Sequence, residues 1–218
     1  MLETLSGDRK RTNLLKKAEQ KFIAVLVQRI PGWITSDMLT GVGLFGSAVV
    51  SASFILADYV KREFLLLGVL GFIISWFGDS LDGRLAYFRK KPRKLYGFTL
   101  DITIDWISII LIGCGFIVYV EGPWELIGYA FVIMYGWELI IALMRYRITG
   151  VYSIDSGKLG PTEARIMISL IMIAEVIFPR SINYSALGIT LVLFIINIID
   201  TRKLLIVADE IDTRNNNK

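Results

Sequence analysis

Apolar residues run in six long blocks along this chain, at about 38–60, 63–88, 96–120, 123–146, 161–179 and 182–205. A helical bilayer crossing needs roughly 20 such residues. Lipid offers the backbone no hydrogen-bond partners, so helices are the expected form. The pattern predicts an all-α integral membrane protein with six transmembrane helices. Ahead of them, Leu14, Leu15, Ala18, Phe22, Val25, Leu26 and Ile30 fall on one helical face, with Lys16, Lys17, Gln20 and Lys21 elsewhere. That periodicity predicts an amphipathic helix lying in the headgroup plane. The alternative is an ordinary basic flank that only sets topology. Three regions follow: a basic tail with the juxtamembrane helix at 1–37, a six-helix membrane domain at 38–205, and a polar flexible tail at 206–218.

Composition agrees with the blocks. Hydrophobic residues make up 54% of 218 and mean hydropathy is +0.57, more apolar than a soluble domain of this length. There is no His, so proton transfer or metal binding falls to carboxylates. The single Cys114 excludes an intrachain disulfide. The basic, amphipathic start lacks the early apolar core of a cleaved signal peptide.

Charge placement sets the orientation. Lys and Arg gather before the first block (Arg9, Lys10, Arg11, Lys16, Lys17, Lys21, Arg29), in the "RKKPRK" loop (89–94), around the fourth connection (Arg145, Arg147, Lys158, Arg165) and after the sixth block. The opposite loops hold only Lys61, Arg62 and Arg180. Both termini and the 89–94 loop are therefore expected on the cytoplasmic side of a bacterial or archaeal cell membrane. No nucleic-acid partner is expected.

Four aspartates break the apolar pattern. Asp79, Asp82, Gly83 and Ala86 lie at i, i+3, i+4 and i+7 in the second block, and Gly97, Asp101 and Asp105 at i, i+4 and i+8 in the third. Each set forms one helical stripe. The short loop makes the two helices an antiparallel hairpin, and at ~1.5 Å per residue Asp82 and Asp101 lie at matching depth. A carboxylate at membrane depth is costly and usually marks function. Four together repel one another. Two hard dications would balance them, and Mg²⁺ in such sites typically also holds phosphate oxygens. The stripes therefore point to phosphoryl chemistry at a two-metal centre. Pairing with Arg84, Arg89 or Lys94 would also account for the aspartates, as would a cation path.

The same residues resemble the signature of the CDP-alcohol phosphotransferase family, D-x2-D-G-x2-A-R, a spacer of eight or nine, then G-x3-D-x3-D. Here it reads Asp79-Ser-Leu-Asp82-Gly83-Arg-Leu-Ala86-Tyr87, nine residues, then Gly97-Phe-Thr-Leu-Asp101-Ile-Thr-Ile-Asp105. Tyr87 stands where the family usually has Arg, with Arg84 and Arg89 nearby as substitutes on other faces. The "WITSDMLTGVG" stretch at 33–43 is similar to the family's lead-in, with Ser36-Asp37 in place of Pro-Asn.

The resemblance implies transfer of a phospho-alcohol from a CDP-alcohol to a second alcohol, releasing CMP, with CDP-diacylglycerol as the expected donor. It implies Mg²⁺ or Mn²⁺, two ions, on Asp79, Asp82, Asp101 and Asp105. Asp105 would also be the general base. Asp79, Asp82, Gly83 and Ala86 would meet the nucleotide, although Gly83 and Ala86 also suit helix packing. A homodimer is implied as well.

The acceptor is less defined. Arg145, Arg147 and Arg165, with Lys158, suit the phosphate of an acceptor such as inositol phosphate or glycerol phosphate, an arrangement similar to phosphatidylinositol-phosphate synthases. They also suit plain positive-inside flanks. "GPTE" at 160–163 reads as a helix start, and its Thr-Glu also resembles the choline/ethanolamine branch, which uses a CDP-amino-alcohol and diacylglycerol. Glu138 and Glu175 are potential Arg partners or cavity-lining residues. An intramembrane prenyltransferase and a cation transporter are the remote alternatives.

Overall fold

Residues 16–150 and 160–216 are described in a computed structural model, and they form helices with no strand among them. Helix α1 spans Lys16–Arg29, α2 Ser36–Tyr59, α3 Leu65–Phe88 after a short 3-10 turn at Arg62–Phe64, and α4 Lys94–Tyr119. Then come α5 Trp124–Thr149, α6 Pro161–Ile177 and α7 Ser181–Asn216. The expected positions Arg9, Lys10, Arg11, Leu14, Leu15 and Lys158 lie outside the described residues.

Helix ends follow local chemistry. Thr35 caps α2, its hydroxyl oxygen accepting from the Met38 N–H at 3.2 Å. Gly150, at φ 71°, closes α5 in the left-handed conformation. Pro161 opens α6, and the Glu163 carboxylate accepts from the Gly160 N–H at 3.1 Å.

Helices α2, α3, α4, α5 and α7 are long and apolar enough to cross a membrane. The sixth expected crossing, α6, has 17 residues, about 25 Å at ~1.5 Å per residue and short of a ~30 Å hydrocarbon core. Helix α7 differs from expectation at its end. The polar segment after 205 continues as helix to Asn216. That stretch contains neither Gly nor Pro, and Glu210 precedes Arg214 at the favourable i,i+4 spacing.

The α2–α3 pair is the frame of the molecule, and small residues make it. A Cβ on Gly46 would fall 2.3 Å from the Ser75 nitrogen, and one on Gly78 2.3 Å from the Gly43 nitrogen. The two backbones touch directly, as small residues allow between membrane helices. Gly46→Ala should therefore cost about 1–3 kcal/mol through forced separation of the helices, seen as a lower melting temperature in detergent. An unchanged melting temperature would contradict this packing.

Away from the hairpin loop, Val50, Phe54, Leu65, Phe72, Phe116 and Met172 form an apolar core joining α2, α3, α4 and α6. Nearby, the buried Glu175 carboxylate accepts from the Tyr119 hydroxyl, the Arg180 and Ile182 N–H groups and the Ser181 hydroxyl at 2.9–3.2 Å. Glu175 thus ties the end of α6 to the start of α7. These bonds account for the buried carboxylate without a role in chemistry.

Helix α1 docks on the hairpin with a face rotated from the expected one. Ile23 and Val27 are fully packed against Leu39, Leu81 and Leu85, while Leu26 and Ile30 pack partly. Phe22 and Val25 are exposed, although the Phe22 ring still stacks on Trp76 at 6.1 Å between centroids. The apolar arc is broad enough to serve both the protein and an outer surface.

Candidate active site

The stripes expected from spacing come together. Asp79, Asp82, Asp101 and Asp105 line one cleft with Thr40, Gly43 and Arg165. Helix α3 ends at Phe88, six residues after Asp82, and α4 begins at Lys94, seven before Asp101. At ~1.5 Å per residue both carboxylates sit roughly 10 Å from the connecting loop. The depth match follows from the near-equal offsets on either side of the turn.

Helix α2 supplies a wall that sequence reasoning missed. The Thr40 hydroxyl donates to Asp82 Oδ2 at 2.7 Å, and the Ser36 hydroxyl to the Asp82 carbonyl at 2.5 Å. The Gly83 N–H donates to Asp82 Oδ1. The Thr40 and Gly83 bonds aim the Asp82 carboxylate, because a carboxylate accepting from fixed donors loses its rotational freedom, while the Ser36 bond holds its main chain. A signal was available: Thr40, Gly43 and Ser47 are small residues at i, i+3 and i+7, a stripe of the same kind as the aspartate stripes.

The glycines of the motif differ from those of the frame. A Cβ on Gly83 or on Gly97 would meet nothing within 4 Å. Neither position therefore serves helix packing. Both leave bare backbone beside the mouth of the cleft, and Ala86 is half-buried one turn along from Gly83.

The arginines separate. Arg165 reaches from α6 into the cleft and donates to Asp79 Oδ2 at 2.8 Å. Arg145 instead bonds Asp200 of α7 at 3.0 Å, and Arg147 is exposed at the end of α5. Both candidate substitutes for the missing motif arginine bond main-chain carbonyls. Arg84 donates to the Ser80 carbonyl at 2.6 Å. Arg89 donates to the carbonyls of Pro31 and Ile34. Tyr87 itself is half-buried. In the 89–94 loop a different arginine has a carboxylate partner: Arg93 pairs with Asp37 and lies over the Tyr96 ring at 4.1 Å. Ser36-Asp37, the departure from the family lead-in, is thus used twice, with Ser36 on Asp82 and Asp37 on Arg93.

The donor set fits a metal in its chemistry. The cleft presents four carboxylates as its ionisable acceptors and no sulfur ligand, which suits hard dications. One carboxylate, Asp79, already binds a cation, the Arg165 guanidinium. Among the described residues no three acidic or Cys side chains are drawn together as a ready cage.

A family model described as CDP-alcohol phosphatidyltransferase matches residues 33–199. No curated protein matches the chain.

Proposed function

Because the chain belongs to the CDP-alcohol phosphatidyltransferase family, we propose that it transfers the phosphatidyl group of CDP-diacylglycerol to the hydroxyl of a phosphorylated alcohol, releasing CMP. Membership itself makes the chain a transferase of substituted phosphate groups, acting from a CDP-alcohol in phospholipid synthesis, in a family that generally uses divalent metal ions. The choice of donor and acceptor is the proposal. The observation that carries it is Arg165, a guanidinium in the same cleft as the four aspartates. Arg suits phosphate because its planar fork donates two parallel bonds. Inositol phosphate and glycerol phosphate are acceptors of that chemistry.

In this reading Asp79, Asp82, Asp101 and Asp105 hold two divalent cations, Mg²⁺ or Mn²⁺. When bound, these neutralise the pyrophosphate and stabilise the departing CMP. The chain's own residues do the rest. Thr40 and Ser36 fix Asp82. Gly83, Gly97 and Ala86 leave room for the nucleotide. Asp105 takes the proton of the incoming hydroxyl, which needs direct hydrogen-bond reach. The oxygen of that hydroxyl then bonds to the donor phosphorus, and the bond from phosphorus to the CMP oxygen breaks.

Six crossings with the short α6 as one of them, cytoplasmic termini and a cytoplasmic cleft complete the proposal, supported by the basic 89–94 loop. So does a homodimer, supported by the family likeness. Glu163 of the Thr-Glu pair caps α6, which supports its reading as a helix start.

A panel of labelled acceptors tests the assignment. Purified protein with CDP-diacylglycerol should form a phospholipid from a phosphorylated alcohol. Product formed only from CDP-amino-alcohols and diacylglycerol would overturn it.

A further inference from the structure

The first carboxylate of the motif is held by a side chain from outside the motif. Arg165 lies on α6, which carries none of the four aspartates, and its Nη1 donates to Asp79 Oδ2 at 2.8 Å with the two side chains 18% and 25% exposed. Asp105 lines the same cleft and attracts the same guanidinium. In poorly hydrated surroundings such attraction is strong, and a lone carboxylate there is costly.

We propose that Arg165 is the counter-ion of the cation-free site and exchanges with divalent metal: it holds Asp79 until the cleft is loaded, leaves as Asp79 becomes a ligand, and only then presents its guanidinium to the anionic acceptor. This rests on the metal reading above. Formal charge supports it. Four carboxylates and Arg165 leave −3 in the cation-free cleft. Two dications bring that to +1, so the loaded cleft no longer needs Arg165 and the guanidinium needs an anion. Arg165 thus couples metal loading to acceptor binding. By linkage, filling either site then favours the other.

Manganese binding to the full-length, chelator-stripped protein tests this without turnover. Free Mn²⁺ is read by electron paramagnetic resonance. Arg165→Gln should bind Mn²⁺ about tenfold more tightly than the wild type, within the usual range of couplings between sites. Arg89→Gln removes a charge of the same sign but bonds main-chain carbonyls of the 31–34 segment. It should change affinity less than about twofold, as a distant, screened charge does. If Arg165→Gln does not fold, Arg165→Lys keeps the charge, loses the fork, and should still bind Mn²⁺ a few-fold more tightly. Equal affinities for wild type and the Arg165 variants would overturn the exchange and leave the metal reading standing. A gain as large in Arg89→Gln would also overturn it, since a general field would then suffice. Wild type that binds no Mn²⁺ would sink both.

Discussion

Asp105→Asn should lower turnover by about 10²- to 10⁴-fold, the usual contribution of a positioned general base. Asn keeps the size and a carbonyl oxygen but cannot take a proton. Asp105 lines the cleft beside Asp101, one turn along α4. The fold should survive, because the tight contacts of the frame are made by Gly43, Gly46, Ser75 and Gly78 instead. Donor binding should also survive in large part, since three carboxylates remain. Rapid-quench measurement of CMP release gives the chemical step, and donor protection against thermal unfolding gives binding. Near-wild-type turnover would remove Asp105 from the role of base. Loss of both turnover and donor binding would make it a ligand alone.

Gly83→Leu should raise the donor KM by about 5- to 150-fold, the consequence of about 1–3 kcal/mol of steric conflict in a site meant for the nucleotide. Its effect on stability should have the opposite sign. A Cβ at Gly83 meets nothing, and Leu is a better helix former than Gly by up to ~1 kcal/mol. The melting temperature should hold or rise while activity falls. Gly46 reverses this pattern, because its space is already filled by the Ser75 and Gly71 backbones. A Gly83→Leu enzyme with unchanged KM would mean that the open space beside Gly83 is not where the nucleotide lies.

The hairpin could be read from the sequence because its signals are local. Asp79 to Ala86 and Gly97 to Asp105 repeat at helical spacing, and the loop between them is too short for anything but an antiparallel return. The contacts that finish the cleft are not local. Thr40 meets Asp82 across 42 positions, and Arg165 meets Asp79 across 86. Nothing in the neighbourhood of either residue names its partner. Arg145 illustrates the same limit. Sequence leaves it open between a phosphate site and a plain positive flank, and its partner Asp200 lies 55 positions on.

Breadth of apolar surface was the other obstacle. On α1 the residues at 22, 25, 26 and 30 make one apolar arc and Ile23 and Val27 extend it. Periodicity alone cannot say which part meets protein. Packing chose Ile23 and Val27, since these meet Leu81 and Leu85. The same ambiguity hides the α2–α3 contact. Glycines in an apolar helix serve packing, ligand approach or neither, and only the surroundings of Gly46, Gly78 and Gly83 separate the three.

The proposed activity has the four aspartates acting as one metal-dependent centre for phosphoryl transfer. CMP release by the purified, detergent-solubilised protein, given CDP-diacylglycerol and phosphorylated alcohols, tests that directly. CMP is expected with Mg²⁺ or Mn²⁺, none with chelator, and recovery when the cation is restored. CMP release at full rate under chelation would contradict it. So would folded protein that releases no CMP from any CDP-linked donor with the metals present.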